Sequence, residues 1–146
     1  YESEIYKLYF KFNKENVGKI EAMSGLQDCI FWLNSNDIDW SIITSKPKFT
    51  TTLILDLFNL NPRVLITADD VKNGKPYSEA SQLLLSQLSN RIDKIYYVGD
   101  TVIDHLFSIN SKFEFIEFNK LTGNQYILNK RHVISNLLDI KNIIQE

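Results

Sequence analysis

Short apolar runs and helical stripes alternate through most of this chain, and that alternation restricts its fold more than any other feature. The runs Trp40 to Thr44, Val64 to Thr67, Lys94 to Val98 and Phe113 to Phe118 are brief and rich in β-branched and aromatic residues, as strands are. Between them apolar residues recur at helical spacing: Leu26, Ile30 and Leu33; Phe49, Leu53, Ile54, Leu57 and Phe58; Ala80, Leu83, Leu84 and Leu88. Asn36 and Asp37 are stop signals after the first stripe, and Val102 to Ile109 makes a further short helix. Ile5 to Phe12 is apolar nearly all round and reads as a helix. Val133, Ile134, Leu137, Leu138 and Ile144 read as a closing helix, and Gly123-Asn124 as a turn. Strands alternating with helices imply βαβ units, hence an α/β fold with a parallel sheet covered on both faces. Right-handed crossovers leave few ways to arrange them.

Ligands of such sheets bind beyond the carboxyl ends of the strands. Thr44 and Ser45 close the first run, Asp69 and Asp70 follow the second, and Asp100 follows the third. The third run empties through Gly99-Asp100 into a helix start, with Asp104 one turn on. Two carboxylates aimed into one small volume suit magnesium, which takes one or two protein carboxylates and keeps several waters. The same Asp100 could equally do no more than start the helix. Thr44 offers a hydroxyl that can donate to a phosphoryl oxygen or simply shape a turn. Lys75, in Asn73-Gly74-Lys75-Pro76, is a fixed positive charge or an ordinary solvated lysine.

Bulk properties narrow the field. A chain of 146 residues with 44% hydrophobic and 23% charged residues fits one globular domain. A net charge of -2 gives no electrostatic ground for binding nucleic acid or a membrane. No apolar run reaches the roughly 18 to 20 residues that span a bilayer. The single cysteine, Cys29, excludes an intrachain disulfide and fits a reducing, cytoplasmic setting; among Leu26, Ile30 and Leu33 it is expected to be buried and inert. His105 is expected on a helix near the site and His132 at the surface. Two histidines and one cysteine make no zinc site, and no strained turn signals a nucleophilic serine.

Taken in order, Thr44 with Ser45-Lys46-Pro47, then Lys75-Pro76, then Gly99-Asp100-Thr101-x-x-Asp104 resemble the second, third and fourth motifs of the haloacid dehalogenase-like (HAD) phosphohydrolases. The branch most similar is the phosphoglycolate-phosphatase-like one, and the resemblance covers nearly the whole chain. It implies a Rossmann-like three-layer HAD core with a parallel sheet (residues 17–146) and a remnant of a helical cap (residues 1–16). It also implies magnesium-dependent hydrolysis of a small phosphomonoester through an aspartyl-phosphate. Asp100 and Asp104 would serve the metal, Thr44, Ser45 and Lys75 the phosphate, and Lys75 and Asp104 the catalysis.

The family's first motif, Asp-x-Asp-x-Thr, supplies the nucleophile at the end of the first strand. The one Asp-x-Asp here, Asp37-Ile38-Asp39, precedes an apolar run instead of following one and reads as a helix-to-strand turn. The chain opens on Tyr1 and not on methionine, so the expectation is a processed or partly represented chain with the missing motif upstream. In the family that first strand lies between those ending at Thr44 and Asp100. Its loss would leave unpaired backbone groups, at about 1 to 3 kcal/mol for each buried one. The strand therefore lies outside these residues, or Tyr1 to Phe12 fills the gap, or a partner chain supplies it. A non-catalytic phosphatase-like binding module is the alternative, against which the retained Asp100 and Asp104 weigh. Purified alone, the 146 residues are predicted to release no nitrophenolate from p-nitrophenyl phosphate with magnesium. Turnover would place a nucleophile within them.

Overall fold

The computed structural model describes residues 2–89, 92–119 and 131–145. Helix α1 spans Glu2–Asn16 and ends in a single 3-10 turn, Val17–Lys19. Helix α2 (Leu26–Ser35) follows Gly25, whose φ of 79° is left-handed; a side chain there would also run into Asn136. The chain then alternates as the apolar spacing requires: β1 (Ile42–Ile43), α3 (Lys48–Leu57), β2 (Leu65–Ile66), α4 (Glu79–Gln87), β3 (Tyr96–Gly99), α5 (Val102–Ser111) and β4 (Glu114–Phe118). Asp37, with φ of 54°, turns the chain between α2 and β1, the place the sequence assigns to Asp37-Ile38-Asp39.

The last segment departs from expectation. Val133–Ile134 is a strand, β5, followed by a 3-10 turn at Leu137–Asp139 and a short helix α6 (Ile140–Ile144). The apolar spacing suits one helix, but the β-branched pair is drawn into the sheet by β4: Glu117 and Phe118 face Val133 and Ile134 in register. The turn expected at Gly123-Asn124 lies outside the described residues.

All strand pairs are parallel, in two groups: β1 with β2, and β3-β4-β5. Among the described residues no strand joins the groups, yet Tyr97 of β3 packs against the same apolar core as Ile43 of β1 and Ile66 of β2. One core collects Cys29 and Leu33 of α2, Ile116 and Phe118 of β4, Ile134 and Ile140, with Trp40, Tyr96 and Val98 against it. The other gathers Val64, Ile66, Ala80, Leu84 and Phe107, with Ile43 and Tyr97 against it. Tyr97 and its neighbours on β3 thus face opposite sides, as the two-residue period of a strand demands. Parallel strands alternating with helices give the α/β fold that the sequence implies.

Pairing decides burial. Strand β4, with a neighbour on each side, buries four of its five residues; β3, paired only to β4, buries none of its four. A parallel strand directs alternate backbone groups to its two sides, so among the described residues β1 and β3 each keep one edge without a strand partner. Helix α1 does not fill this gap as a strand. It packs instead on α3, where the Phe10 ring meets Phe49 edge-on at 4.5 Å, and leaves Ile5, Leu8 and Phe12 exposed. Among the described residues no helix is long and apolar enough to cross a membrane. Ile116 is fully buried at the centre of the first core. Ile116→Ala should lower unfolding free energy by roughly 2 to 5 kcal/mol, read by urea titration of tryptophan fluorescence; Trp32 and Trp40 pack against the same cluster and report it.

Candidate active site

The carboxyl ends of β1, β2 and β3 are tied together by side chains and backbone in the loops that follow them. After β1, the N–H of Lys48, first in α3, donates to Asp69 in the loop after β2 (2.8 Å), and the N–H of Ala68 donates to the Lys46 carbonyl. Asp69 therefore caps α3, where a carboxylate meets the helix's positive end. Asp70 closes the 3-10 turn Ala68–Asp70 by accepting from the N–H and hydroxyl of Thr67, bonds that hold its carboxyl below the ordinary range. Both acids flagged at the second strand end thus have structural work.

Lys75 is brought in by an ordered loop. Glu79, at the start of α4, accepts from the N–H groups of Lys72 and Asn73 and from the Asn73 side chain, which lowers its pKa. From the other side Asn110 of α5 donates to the Pro76 carbonyl (2.8 Å), and the Lys75-Pro76 peptide is cis. So held, the Lys75 ammonium reaches the end of β3, where it donates to Asp104 Oδ1 at 2.6 Å and to the Tyr97 hydroxyl at 3.0 Å. The ion pair is sheltered, its side chains 13% and 9% exposed.

Asp104 is fully engaged. Its Oδ1 also accepts from the Tyr97 hydroxyl (3.1 Å), and its Oδ2 from the Thr101 hydroxyl (2.7 Å) and N–H (3.2 Å). Thr101 accepts in return from the Asp104 N–H, a reciprocal cap on α5. Burial pushes the Asp104 pKa up; the Lys75 and Thr101 hydrogen bonds, the Lys75 charge and Tyr97 outweigh it and hold the carboxyl below its ordinary value. The Tyr97 phenol is shifted upward by burial and by the Asp104 charge.

Gly99 is required here by close approach. Its φ is not left-handed, but a Cβ on it would lie 2.4 Å from the Asp104 Cβ. The reason for glycine is thus steric: only glycine lets the Asp104 side chain lie over the strand end.

Asp100 is exposed and accepts no hydrogen bond among the described residues. Thr44 is half-buried at the end of β1. Its Oγ1 accepts from the Lys46 N–H (3.1 Å), while its own hydrogen has no acceptor among the described residues. Ser45 is exposed beside it. The contacts therefore join Lys75 and Asp104 directly, and stand Thr44, Ser45 and Asp100 at the same sheet edge without linking them. Among the described residues no three His, Cys, Asp or Glu side chains cluster as a metal cage. A magnesium ion needs no such cage, being satisfied by one or two carboxylates, water and phosphate. Asp100 fits half of that requirement.

The other expected residues stand apart. Asp39, at the amino end of β1, pairs with Arg63 at 2.6 Å. Cys29 is buried, and burial raises its thiol pKa. His132, expected at the surface, is buried with Nε2 4.0 Å from Glu114, because β5 carries it against β4. His105 packs its ring on Phe115 and lines a cleft of about 290 Å³ with Ser108, Glu114 and His132, a set that shares no residue with the Lys75 group. The residue that sequence reasoning missed is Tyr97. Its signal was position: two residues before Gly99, it shares the strand face that Asp104 covers.

Residues 1–118 match the family model described as haloacid dehalogenase-like hydrolase. The pyrophosphatase PpaX of Bacillus pumilus is 31% identical over 106 residues, covering 70% of this chain and 49% of the relative. The PpaX of Halalkalibacterium halodurans is 28% identical over 111 residues, or 74% and 52% of the two chains. This chain thus spans about half the length of the curated relatives it matches. Among solved structures, a HAD phosphatase from Thermococcus onnurineus superposes with a TM-score of 0.81 at 22% identity, over 93% of this chain and 64% of that one. CbbY from Rhodobacter sphaeroides in complex with phosphate gives 0.79 at 14% identity, over 94% and 65%. At these identities the structures speak to fold.

The depressed Asp104 carboxyl carries a pH signature. Its stabilising share is complete above the unfolded carboxyl value of about 4 and is lost as pH falls through the lower folded value. Asp104→Asn should be roughly 3 to 5 kcal/mol less stable at neutral pH, having broken a sheltered ion pair. Its stability should also fall less steeply than that of the parent below about pH 4, measured by urea denaturation across pH.

Proposed function

The chain belongs to the haloacid dehalogenase-like hydrolase family, and on that premise we propose that it is part of a magnesium-dependent phosphatase. The complete protein hydrolyses a small phosphomonoester, and the nucleophilic carboxylate comes from outside these residues. The observation that carries this reading is the Lys75–Asp104 ion pair, 2.6 Å long, with the unpartnered Asp100 carboxylate four residues before Asp104. A pair built only for stability would need no second, exposed acid beside it.

In this reading the attacking carboxylate forms a bond to phosphorus as the P–O bond to the ester breaks, the leaving oxygen taking a proton from a general acid that, like the nucleophile, lies outside these residues. Water then cleaves the aspartyl-phosphate, releasing inorganic phosphate and restoring the carboxylate. Such chemistry is mostly positioning and charge neutralisation. Thr44 donates its free hydroxyl hydrogen to a phosphoryl oxygen, with Ser45 adjoining. Lys75 offers its remaining N–H to the phosphate and neutralises charge shared with the nucleophile. Asp104 acts through Lys75, its own oxygens being engaged, and would support the magnesium or its waters. Asp100 would hold magnesium, which would supply positive charge to the phosphoryl group.

The nucleophile belongs on a strand between β1 and β3. In support, β1 and β3 each have a strand partner on one side only among the described residues, and Ile43 and Tyr97 from the two groups pack in one apolar core. Residues 1–16 are read as the end of a cap and 17–146 as the core that this strand completes. Asp39 is not that nucleophile, since it lies at the amino end of β1 and is paired with Arg63.

The test uses the protein that contains these residues in full length, with p-nitrophenyl phosphate and, given the name of the curated relatives, inorganic pyrophosphate. Turnover should require magnesium, and Asp100→Asn should lower it roughly 100-fold or more while weakening magnesium binding in calorimetry. A full-length protein that neither turns over nor binds magnesium is instead a non-catalytic phosphatase-like binding module.

A further inference from the structure

The Lys75 ammonium carries three N–H groups. One goes to Asp104 Oδ1 and a second to the Tyr97 hydroxyl, which itself donates to the same Asp104 oxygen. The three groups close a triangle with sides of 2.6, 3.0 and 3.1 Å. A lysine held by one acceptor can pivot about the line joining nitrogen to oxygen, and behaves as a point charge with rotatable donors. A second acceptor off that line removes the pivot. We propose that Tyr97 is a positioning residue that turns the Lys75 ammonium into a directional donor, aiming its one remaining N–H at the phosphoryl oxygen.

The ring is fixed well enough for this task. Phe107, fully buried, meets Tyr97 edge-on with centroids 5.0 Å apart, and Phe113 lies behind Phe107 at 6.2 Å. Phe107 sits three residues after Asp104 on α5, so the same helix that supplies the carboxylate also steadies the phenol. The Lys75 nitrogen lies 5.7 Å from the Tyr97 ring centroid, near the outer limit for a cation over an aromatic ring, so the hydroxyl and not the ring face makes the useful contact. Lys75 arrives from the loop after β2, and Tyr97 is the group on β3 that meets it beside Asp104.

The proposal rests on the phosphatase reading for the ligand, and the experiment separates the two. Tyr97→Phe keeps the ring and removes the hydroxyl. In the full-length protein it should lower kcat about tenfold with KM changed less than about twofold, as the Lys75 donor loses its alignment on the phosphoryl oxygen in the transition state. In parallel, the ¹⁵N–¹H signal of the Lys75 ammonium should be observable in the wild-type chain, its protons held by two acceptors, and should broaden or vanish in the variant. The thermal midpoint guards against a merely structural effect. Unchanged kcat with an unchanged ammonium signal overturns the role of Tyr97, as does a fall in the thermal midpoint with kcat intact. Absence of turnover in the wild-type full-length protein sinks the phosphatase reading instead, and the ammonium signal alone then decides whether Tyr97 orders Lys75.

Discussion

The sheltered pair between Lys75 and Asp104 is the contact on which the carboxyl edge of this molecule depends. It joins the loop after β2 to the turn after β3, two segments that belong to different strand groups. An ion pair removed from water is weakly stabilising at best unless further hydrogen bonds satisfy both partners. Here Thr101 and Tyr97 do so, and the depressed carboxyl pKa of Asp104 records that attraction prevails over burial. Gly99 belongs to the same arrangement, because any side chain there would push Asp104 away. A local rule, glycine before aspartate at a strand end, thus has a non-local cause.

Much of the fold was readable from spacing alone, and the reasons differ by element. Helix α2 buries Cys29 and Leu33 at helical spacing, whereas α3 buries Thr50 and Thr51 and α5 buries Asp104, Phe107 and Ser108, so apolar spacing located these helices more surely than their buried faces. The tail was misread because Val133, Ile134, Leu137 and Leu138 satisfy helical spacing and strand-turn-helix equally. What decided between them was β4, some fifteen residues earlier in the chain, whose free edge pairs with Val133–Ile134. His132 was misplaced for the same reason.

The site shows a similar division. Thr44, Lys75, Asp100 and Asp104 are polar residues at strand ends, and polar residues there stand out against apolar runs. Tyr97 does not stand out, since a tyrosine inside an apolar strand is ordinary core material. Only the loop that carries Lys75 across to β3 reveals what its hydroxyl meets. The distinct characters of Asp100 and Asp104 were also beyond spacing: one is exposed, the other has every oxygen engaged, and that difference comes from Thr101 and Lys75.

The open edges of β1 and β3 carry a cost in solution behaviour. Unpaired strand edges are templates for other chains, and natural sheets ordinarily cover, charge or kink them. Here the exposed backbone of β3 runs beside Tyr96, Tyr97 and Val98, with no proline or bulge to blunt it. Two such edges among the described residues make edge-to-edge pairing with other chains the expected hazard for the 146 residues in isolation.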